Sequence, residues 1–165
     1  MIPVMLVTAM VVGSGGSPPV GTRAPEFTAT ATSGTIKLSD YRGKWVVLYF
    51  YPKSFTPGCT AEACSLRDGF DSLRNLDAVI IGVSTDDVET QRLFKEKYQL
   101  PFDLIADTDK KVVEAYHVAG MLGFAKRRTF IIDPSGVLRY IVDDIDTRRH
   151  ADQIRSVLQQ LRKNG

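Results

Sequence analysis

Two cysteines, Cys59 and Cys64, are the residues of this sequence with the clearest capacity for chemistry. Cys59 follows the segment Thr56-Pro57-Gly58, which lies between an apolar, aromatic run and a stretch of helix-forming composition. This pattern predicts that Cys59 lies where a strand leads into a helix. The unpaired N–H groups and positive dipole end of a helix N-terminus favour an anion, and the thiolate is the nucleophilic form of cysteine. The sequence therefore predicts a reactive thiol at position 59.

Length and composition restrict the classes of protein to be considered. A chain of 165 residues with 44% apolar and 24% charged residues can form one globular domain with an ordinary core. Lys and Arg outnumber Asp and Glu by only 21 to 19, and the basic residues are scattered, which argues against a nucleic-acid partner. Two cysteines five positions apart cannot form the framework of a disulfide-rich scaffold, so they favour a redox or a metal-binding role.

The first 19 residues differ in composition from the rest of the chain. An apolar run from Ile2 to Val12 precedes a segment rich in Gly, Ser and Pro. The run is shorter than the about 20 residues that span a bilayer, and it lacks the basic flank and cleavage site of a standard signal peptide. We interpret residues 1–19 as a leader, either signal-like or disordered, and residues 20–165 as the folded domain. The protein is then cytoplasmic, or exported to the periplasm if the leader is a signal.

From Val20 onward, apolar patterns predict strands alternating with helices. The predicted strands are Phe27–Thr32, Thr35–Leu38, Trp45–Tyr51, Ala78–Val83, Pro101–Ala106, Thr129–Ile132 and Val137–Val142, and the predicted helices are Thr60–Leu76, Val88–Tyr98, Lys110–Tyr116 and His150–Arg162. Turn residues at Ser33-Gly34 and Asp133–Gly136 indicate a hairpin at each end of this series. The expected fold class is α/β, with a mixed central sheet flanked by helices.

The residues Pro52, Thr56 and Cys59 form a Pro-x3-Thr-x2-Cys pattern that resembles the active-site motif of peroxiredoxins. The segments that resemble the bacterioferritin comigratory protein or peroxiredoxin Q branch are Tyr51–Lys53, Thr56–Thr60 with Cys64, Gly82–Ser84, Leu100–Phe102, Arg127–Asp133 and Asp143-Asp144. Ser54 departs from the acidic residue often found at its position. The resemblance extends from about residue 20 to residue 162. It implies a thioredoxin fold with an N-terminal β-hairpin extension.

The resemblance also implies an activity and a set of site residues. The protein would be a thiol-dependent peroxidase that reduces hydrogen peroxide and organic hydroperoxides without a cofactor or a metal. Cys59 would attack the peroxide, Thr56 would hydrogen-bond it, and Arg127 would stabilise the thiolate and the departing oxygen. Pro52 would shield the site from water, and the backbone N–H groups of Gly58 and Cys59 would complete the peroxide site.

Cys64 would resolve the oxidised form of Cys59 in this scheme. A sulfenic acid at Cys59 condenses with a nearby thiol, but on one helix the two Cα atoms lie about 8.7 Å apart, whereas a disulfide needs less than about 7 Å. The first turns of the helix must therefore unwind during each cycle. Thioredoxin or a glutaredoxin-like dithiol would reduce the disulfide. We expect a monomer, with a weak dimer as the alternative.

Other interpretations of the same residues stay open at this stage. A thioredoxin-like disulfide reductase would use C-x2-C, and a copper-delivery protein of the cytochrome-oxidase-synthesis type would use C-x3-C with a remote histidine and a membrane anchor; the spacing here is C-x4-C. Cys64 could also be a half-buried core residue. His117 and His150 are far apart in sequence and are expected at the surface, and Asp143-Asp144 is expected at a solvated strand end.

Overall fold

The computed structural model describes residues 17–164. The predicted leader, residues 1–19, therefore lies almost wholly outside the described residues. Within residues 17–164, no helix combines the length and the apolar character needed to cross a membrane.

A seven-stranded sheet forms the centre of the domain. Its strands are β1 (Thr28–Ala31), β2 (Gly34–Lys37), β3 (Trp45–Phe50), β4 (Ala78–Ser84), β5 (Asp103–Ala106), β6 (Arg128–Ile132) and β7 (Leu138–Val142). Their spatial order is β2-β1-β5-β4-β3-β6-β7. The three strands β3, β4 and β5 run parallel, and every other pairing is antiparallel. The predicted α/β class, mixed sheet and N-terminal hairpin are confirmed.

Within residues 17–164, five α-helices accompany the sheet: α1 (Pro57–Asp68), α2 (Phe70–Arg74), α3 (Val88–Tyr98), α4 (Lys111–Ala115) and α5 (His150–Lys163). The prediction of one helix over Thr60–Leu76 is wrong in extent. The helix begins earlier, because Pro57 at the first helical position needs no N–H partner. It is interrupted at Gly69, where a Cβ atom would lie 2.5 Å from the Cβ of Ala151 on α5. Glycine at this position allows α5 to approach the chain closely.

Strand β3 is buried on both faces and holds the two cores together. Val46, Leu48 and Phe50 pack on one side with α4 and the N-terminal hairpin. Val47 and Tyr49 pack on the other side with α1, α3 and α5. A strand covered on both faces has a continuous apolar sequence rather than an alternating one, which explains the run that predicted it. The end of β3 is thereby fixed relative to α1.

The C-terminal part of α1 is attached to two neighbouring helices. Arg67 Nη1 donates a hydrogen bond to the carbonyl of Tyr98 at the end of α3, at 2.9 Å. On the other side, the N–H of Ala151 on α5 donates to Ser65 Oγ at 3.2 Å, next to the close contact between Ala151 and Gly69. Cys59 lies at the opposite, N-terminal end of this helix.

Candidate active site

A buried polar cluster fixes the loop between β3 and α1. The N–H of Ser54 donates to Asp86 Oδ2 at 2.8 Å, and Ser54 Oγ donates to Gln91 Oε1 at 2.7 Å. Tyr51 at the end of β3 donates its hydroxyl to the same oxygen at 2.7 Å, and Gln91 Nε2 on α3 donates to Ser84 Oγ at 2.8 Å. Ser54 is buried, and these hydrogen bonds show that it helps to hold the loop in place.

Cys59 occupies the third position of α1, and the residue is 2% exposed. Thr56 is the N-cap residue, with an extended backbone. The first N–H groups of a helix have no partner within the helix, and with the helix dipole they favour a negative charge at this end. The sulfur accepts a hydrogen bond from Arg127 Nη2 at 3.2 Å. The predicted position of Cys59, where a strand leads into a helix, is confirmed.

Arg127 reaches the sulfur from the residue directly before β6. Because β6 pairs antiparallel with β3, with Arg128 opposite Phe50, Arg127 lies beside the end of β3. Its Nη1 donates to Glu62 Oε1 at 2.6 Å while Nη2 donates to Cys59. A Cβ atom on Gly58 would lie 3.3 Å from Nη2, so the glycine leaves room for the guanidinium. Arg127, with 24% of its side chain exposed, bridges the thiol and a carboxyl group.

The other predicted site residues lie in the loop or farther along α1. Thr56 Oγ1 donates to the carbonyl of Lys53 at 2.7 Å, which leaves its oxygen lone pairs to accept a hydrogen bond from a ligand. Pro52 is half-buried in the loop after β3. Cys64 is half-buried, and both cysteines are free. Cys59 and Cys64 both lie on α1, because this helix begins before the predicted start at Thr60, whereas the roles of these residues stay predictions.

Glu62 contacts Arg127 in the site, and it is the first of two residues that the sequence analysis did not assign to the site. Its side chain is fully buried, and it lies on the same face of α1 as Cys59, three positions later. Burial raises the pKa of Glu62 to about 7, although the charge of Arg127 acts in the opposite direction. The sequence signal was the spacing: an acidic residue one turn after Cys59, directly before the buried Ala63.

His150 is the second missed residue, and the prediction that it lies at the surface is wrong. Its side chain, at the start of α5, is fully buried. The ring Nδ1 lies 3.0 Å from Gln153 Oε1, and Nε2 lies 2.8 Å from Thr129 Oγ1. Nε2 also lies 3.6 Å from Glu62 Oε2. Burial lowers the pKa of His150 to about 4, so the imidazole is neutral at physiological pH.

The burial of His150 had a signal in the sequence. Ile154 and Leu158, which follow at four-residue steps on α5, are both buried, and this spacing places His150 on the same apolar face. The surface positions predicted for His117 and for the pair Asp143-Asp144 are confirmed, because these residues are exposed.

Known proteins resemble this chain in both sequence and structure. Residues 20–141 match the AhpC/TSA family. Peroxiredoxin Bcp of Bacillus subtilis is 50% identical over 127 residues, which cover 72% of this chain and 81% of that protein. The crystal structure of peroxidoxin BcpB from Mycobacterium tuberculosis has a TM-score of 0.79 at 32% identity, covering 86% and 96% of the two chains. A ligand-complex structure of the Xanthomonas campestris bacterioferritin comigratory protein has a TM-score of 0.72 at 30% identity, covering 81% and 90%. The predicted thioredoxin fold is confirmed.

Proposed function

The chain belongs to the AhpC/TSA family and to its Bcp and peroxiredoxin Q branch, and from this membership we propose that it reduces hydroperoxides with the thiolate of Cys59. The observation that most directly supports the proposal is the hydrogen bond from Arg127 Nη2 to Cys59 Sγ at 3.2 Å, at a helix N-terminus. A neighbouring cation and unpaired N–H groups both stabilise a thiolate. The family match favours this function over a disulfide reductase or a copper-delivery protein.

The proposed reaction transfers one oxygen atom from the peroxide to the sulfur. The thiolate of Cys59 attacks the terminal oxygen, the O–O bond breaks, and the sulfur becomes a sulfenic acid while an alkoxide or hydroxide leaves and takes up a proton. The sulfur loses two electrons and the peroxide gains them. Arg127 stabilises the charge as it moves from sulfur to oxygen, Thr56 and the N–H groups of Gly58 and Cys59 hold the peroxide, and Pro52 limits access of water.

The substrate class includes hydrogen peroxide and alkyl hydroperoxides. The Xanthomonas campestris relative is described by its alkyl peroxide reduction activity, which supports organic substrates for this chain as well. The site of Cys59 is built from a loop, a helix end and one arginine, and these bind the peroxide group that all such substrates share.

Cys64 completes the proposed cycle. Its thiolate attacks the sulfenic sulfur of Cys59, the S–O bond breaks, hydroxide leaves and takes up a proton to become water, and an intramolecular disulfide forms. A dithiol protein such as thioredoxin, or a glutaredoxin-like reductant, then returns both residues to thiols by disulfide exchange. Since both cysteines lie on α1, the N-terminal turns of this helix must open before the two sulfurs can meet.

Intact-mass measurement after one equivalent of hydrogen peroxide tests the proposed cycle. We expect the wild-type protein to lose two hydrogens, because the disulfide replaces two thiols. Cys64→Ser lacks the resolving thiol and is expected to gain one oxygen, as a sulfenic acid that dimedone, a reagent specific for sulfenic acids, labels. If Cys64→Ser also lost two hydrogens, or if neither protein changed mass, the cycle as proposed would be wrong.

Oxidation is further expected to reduce the helix content of the wild-type protein. The far-ultraviolet circular dichroism should lose the signal of about two helical turns when the disulfide forms and should recover when a dithiol reduces it. Cys64→Ser is the matched control, since its sulfenic acid forms without a disulfide and the helix should persist. Unchanged helicity in a protein with a formed Cys59–Cys64 disulfide would contradict the unwinding.

A further inference from the structure

Phe55 has a backbone conformation that L-amino acids rarely adopt. Its φ angle is 69°, in the left-handed region, where a side chain crowds the backbone and glycine is normally found. Such a conformation persists only where the surrounding structure holds the residue in place. Phe55 lies directly before Thr56, the N-cap of α1. The strained position therefore adjoins the helix that carries both cysteines.

The residues on either side of Phe55 are held by hydrogen bonds of two different kinds. Before it, the N–H of Ser54 donates to Asp86 Oδ2 at 2.8 Å. After it, the carbonyl of Thr56 accepts from the N–H of Thr60 at 2.9 Å, which is the first bond within α1. Only this second bond is lost when the first turn of α1 opens. Opening therefore frees the backbone of Phe55 on one side and leaves Ser54 in place.

The ring of Phe55 packs against α3. Its centroid lies 5.2 Å from that of Phe94 and 6.5 Å from that of Tyr98, and both distances are typical of favourable aromatic pairs. Lys97 Nζ lies 5.8 Å from the same centroid, within the range of a cation–π interaction. These contacts compensate for the strained backbone. Because Phe55 is 42% exposed, whereas Phe94 is fully buried, they hold the ring less firmly than a core side chain is held.

We propose that Phe55 is the hinge at which the N-terminal turns of α1 open, and this inference rests on the proposed cycle of Cys59 and Cys64. Packing of the ring on α3 holds the segment closed while peroxide is bound. The left-handed backbone acts in the opposite direction, because its strain is relieved once the first turn is lost. Hinges are typically residues at the end of an element that absorb such a backbone change. Phe55 acts on the two sulfurs only through the backbone, so it is a positioning residue.

The segment that opens has an anchor at each end. Ser54 Oγ donates to Gln91 on α3 at 2.7 Å. Ser65 Oγ accepts from the N–H of Ala151 on α5 at 3.2 Å. Residues 55–64 lie between these anchors and include both cysteines. The two sulfurs can therefore meet while the sheet and the rest of α1 keep their positions.

Two substitutions that both remove the ring separate the strain from the packing. Phe55→Ala keeps the strain, whereas Phe55→Gly relieves it, because glycine adopts a positive φ readily. The closed form of Phe55→Ala is thus expected to be about fivefold less favoured than that of Phe55→Gly. After one equivalent of hydrogen peroxide, acid quenching and intact-mass measurement should show disulfide formation about fivefold faster in Phe55→Ala. Oxidation of Cys59 should be equally fast in both variants, because the reduced protein is mostly closed.

His117 provides the matched control, because it also has a positive φ, of 57°, but lies exposed after α4. His117→Ala and His117→Gly should differ in their free energy of unfolding, as the two Phe55 variants do, and yet form the disulfide at equal rates. Equal rates of disulfide formation in the two Phe55 variants would overturn the proposal. A difference of the same size in the His117 pair would also overturn it, because the effect would then be one of global stability.

Hydrogen exchange of the reduced protein tests the hinge without peroxide. The amide groups of residues 60–63, in the first turns of α1, exchange through local opening. They should exchange about fivefold faster in Phe55→Ala than in Phe55→Gly. Equal exchange in the two variants would show that the strain is not released on opening and that the hinge is wrong. If exchange differs and Cys59 nevertheless fails to react with peroxide, the proposed peroxidase function is wrong while the hinge stands.

Discussion

Replacement of Cys59 by serine is expected to lower the rate of peroxide consumption at least about a thousandfold, to that of the reductant in buffer. Loss of one stabilising donor in an active site typically costs about 10²–10³ in rate, and this change removes the nucleophile itself. A serine hydroxyl in place of the sulfur is not ionised at neutral pH and cannot be oxidised to a sulfenic acid. Peroxide consumption with dithiothreitol as the reductant measures the effect.

Cys64→Ser is the matched control for this experiment, because it removes the other thiol and leaves the first chemical step intact. It should consume one equivalent of peroxide as fast as the wild-type protein. Circular dichroism should show that Cys59→Ser keeps its helices, since serine is close to cysteine in size. Consumption by Cys59→Ser at more than about a hundredth of the wild-type rate would show that another group attacks the peroxide, and the interpretation of Cys59 would be wrong.

Replacement of Arg127 by lysine is expected to lower the second-order rate constant for peroxide by about 10²–10³. Ionisation of a thiol alone raises its rate of reaction with peroxide only a little, because the nucleophilicity of the thiolate falls as the pKa falls. Most of the acceleration must therefore come from positioning of the peroxide and stabilisation of charge. The guanidinium donates to Cys59 and Glu62 through two different nitrogens. Lysine has one nitrogen on a flexible chain and cannot reproduce this fork. Stopped-flow measurement of Cys59 oxidation tests the expectation.

Arg128→Lys provides the comparison at a neighbouring position. Arg128 pairs with Asp143 at the domain surface, away from the sulfur contact, so this variant should retain nearly the full rate. A loss in Arg128→Lys equal to that in Arg127→Lys would indicate a general effect of positive charge near the site. A rate in Arg127→Lys within about threefold of the wild type would contradict the role of the two-nitrogen contact.

The sequence was sufficient to predict the strands of the sheet and the motif around Cys59, and the family resemblance added the contact between Arg127 and Cys59. Strand β3 was visible because burial on both faces makes its sequence continuously apolar. The thiol at position 59 was visible because proline and glycine precede a helix-forming segment. Arg127 was assigned through the family resemblance alone, since an arginine before a strand has no distinctive local pattern.

The parts that sequence reasoning missed depend on contacts between distant segments. The interruption at Gly69 arises from the approach of Ala151, which is far along the chain, and the local composition around Gly69 is that of a continuous helix. The burial of Glu62 and His150 likewise results from α5 packing against α1. A charged or titratable residue on an amphipathic helix is normally assigned to the solvent face, and only the packing shows that these two side chains face each other.

The attachment of the C-terminal part of α1 has a kinetic consequence for the proposed cycle. Ser65 and Arg67 are hydrogen-bonded to α5 and α3, and they follow Cys64, so we expect one turn of helix to persist when the segment from Cys59 to Cys64 opens in the proposed cycle. The equilibrium constant for nucleation of a new helix is reduced by a factor of about 10³ relative to extension of an existing one. Extension of an existing turn takes about a nanosecond per residue. We therefore expect the proposed peroxide site to re-form by propagation from a retained nucleus, in far less time than one enzymatic turnover at a typical rate of about 10 per second.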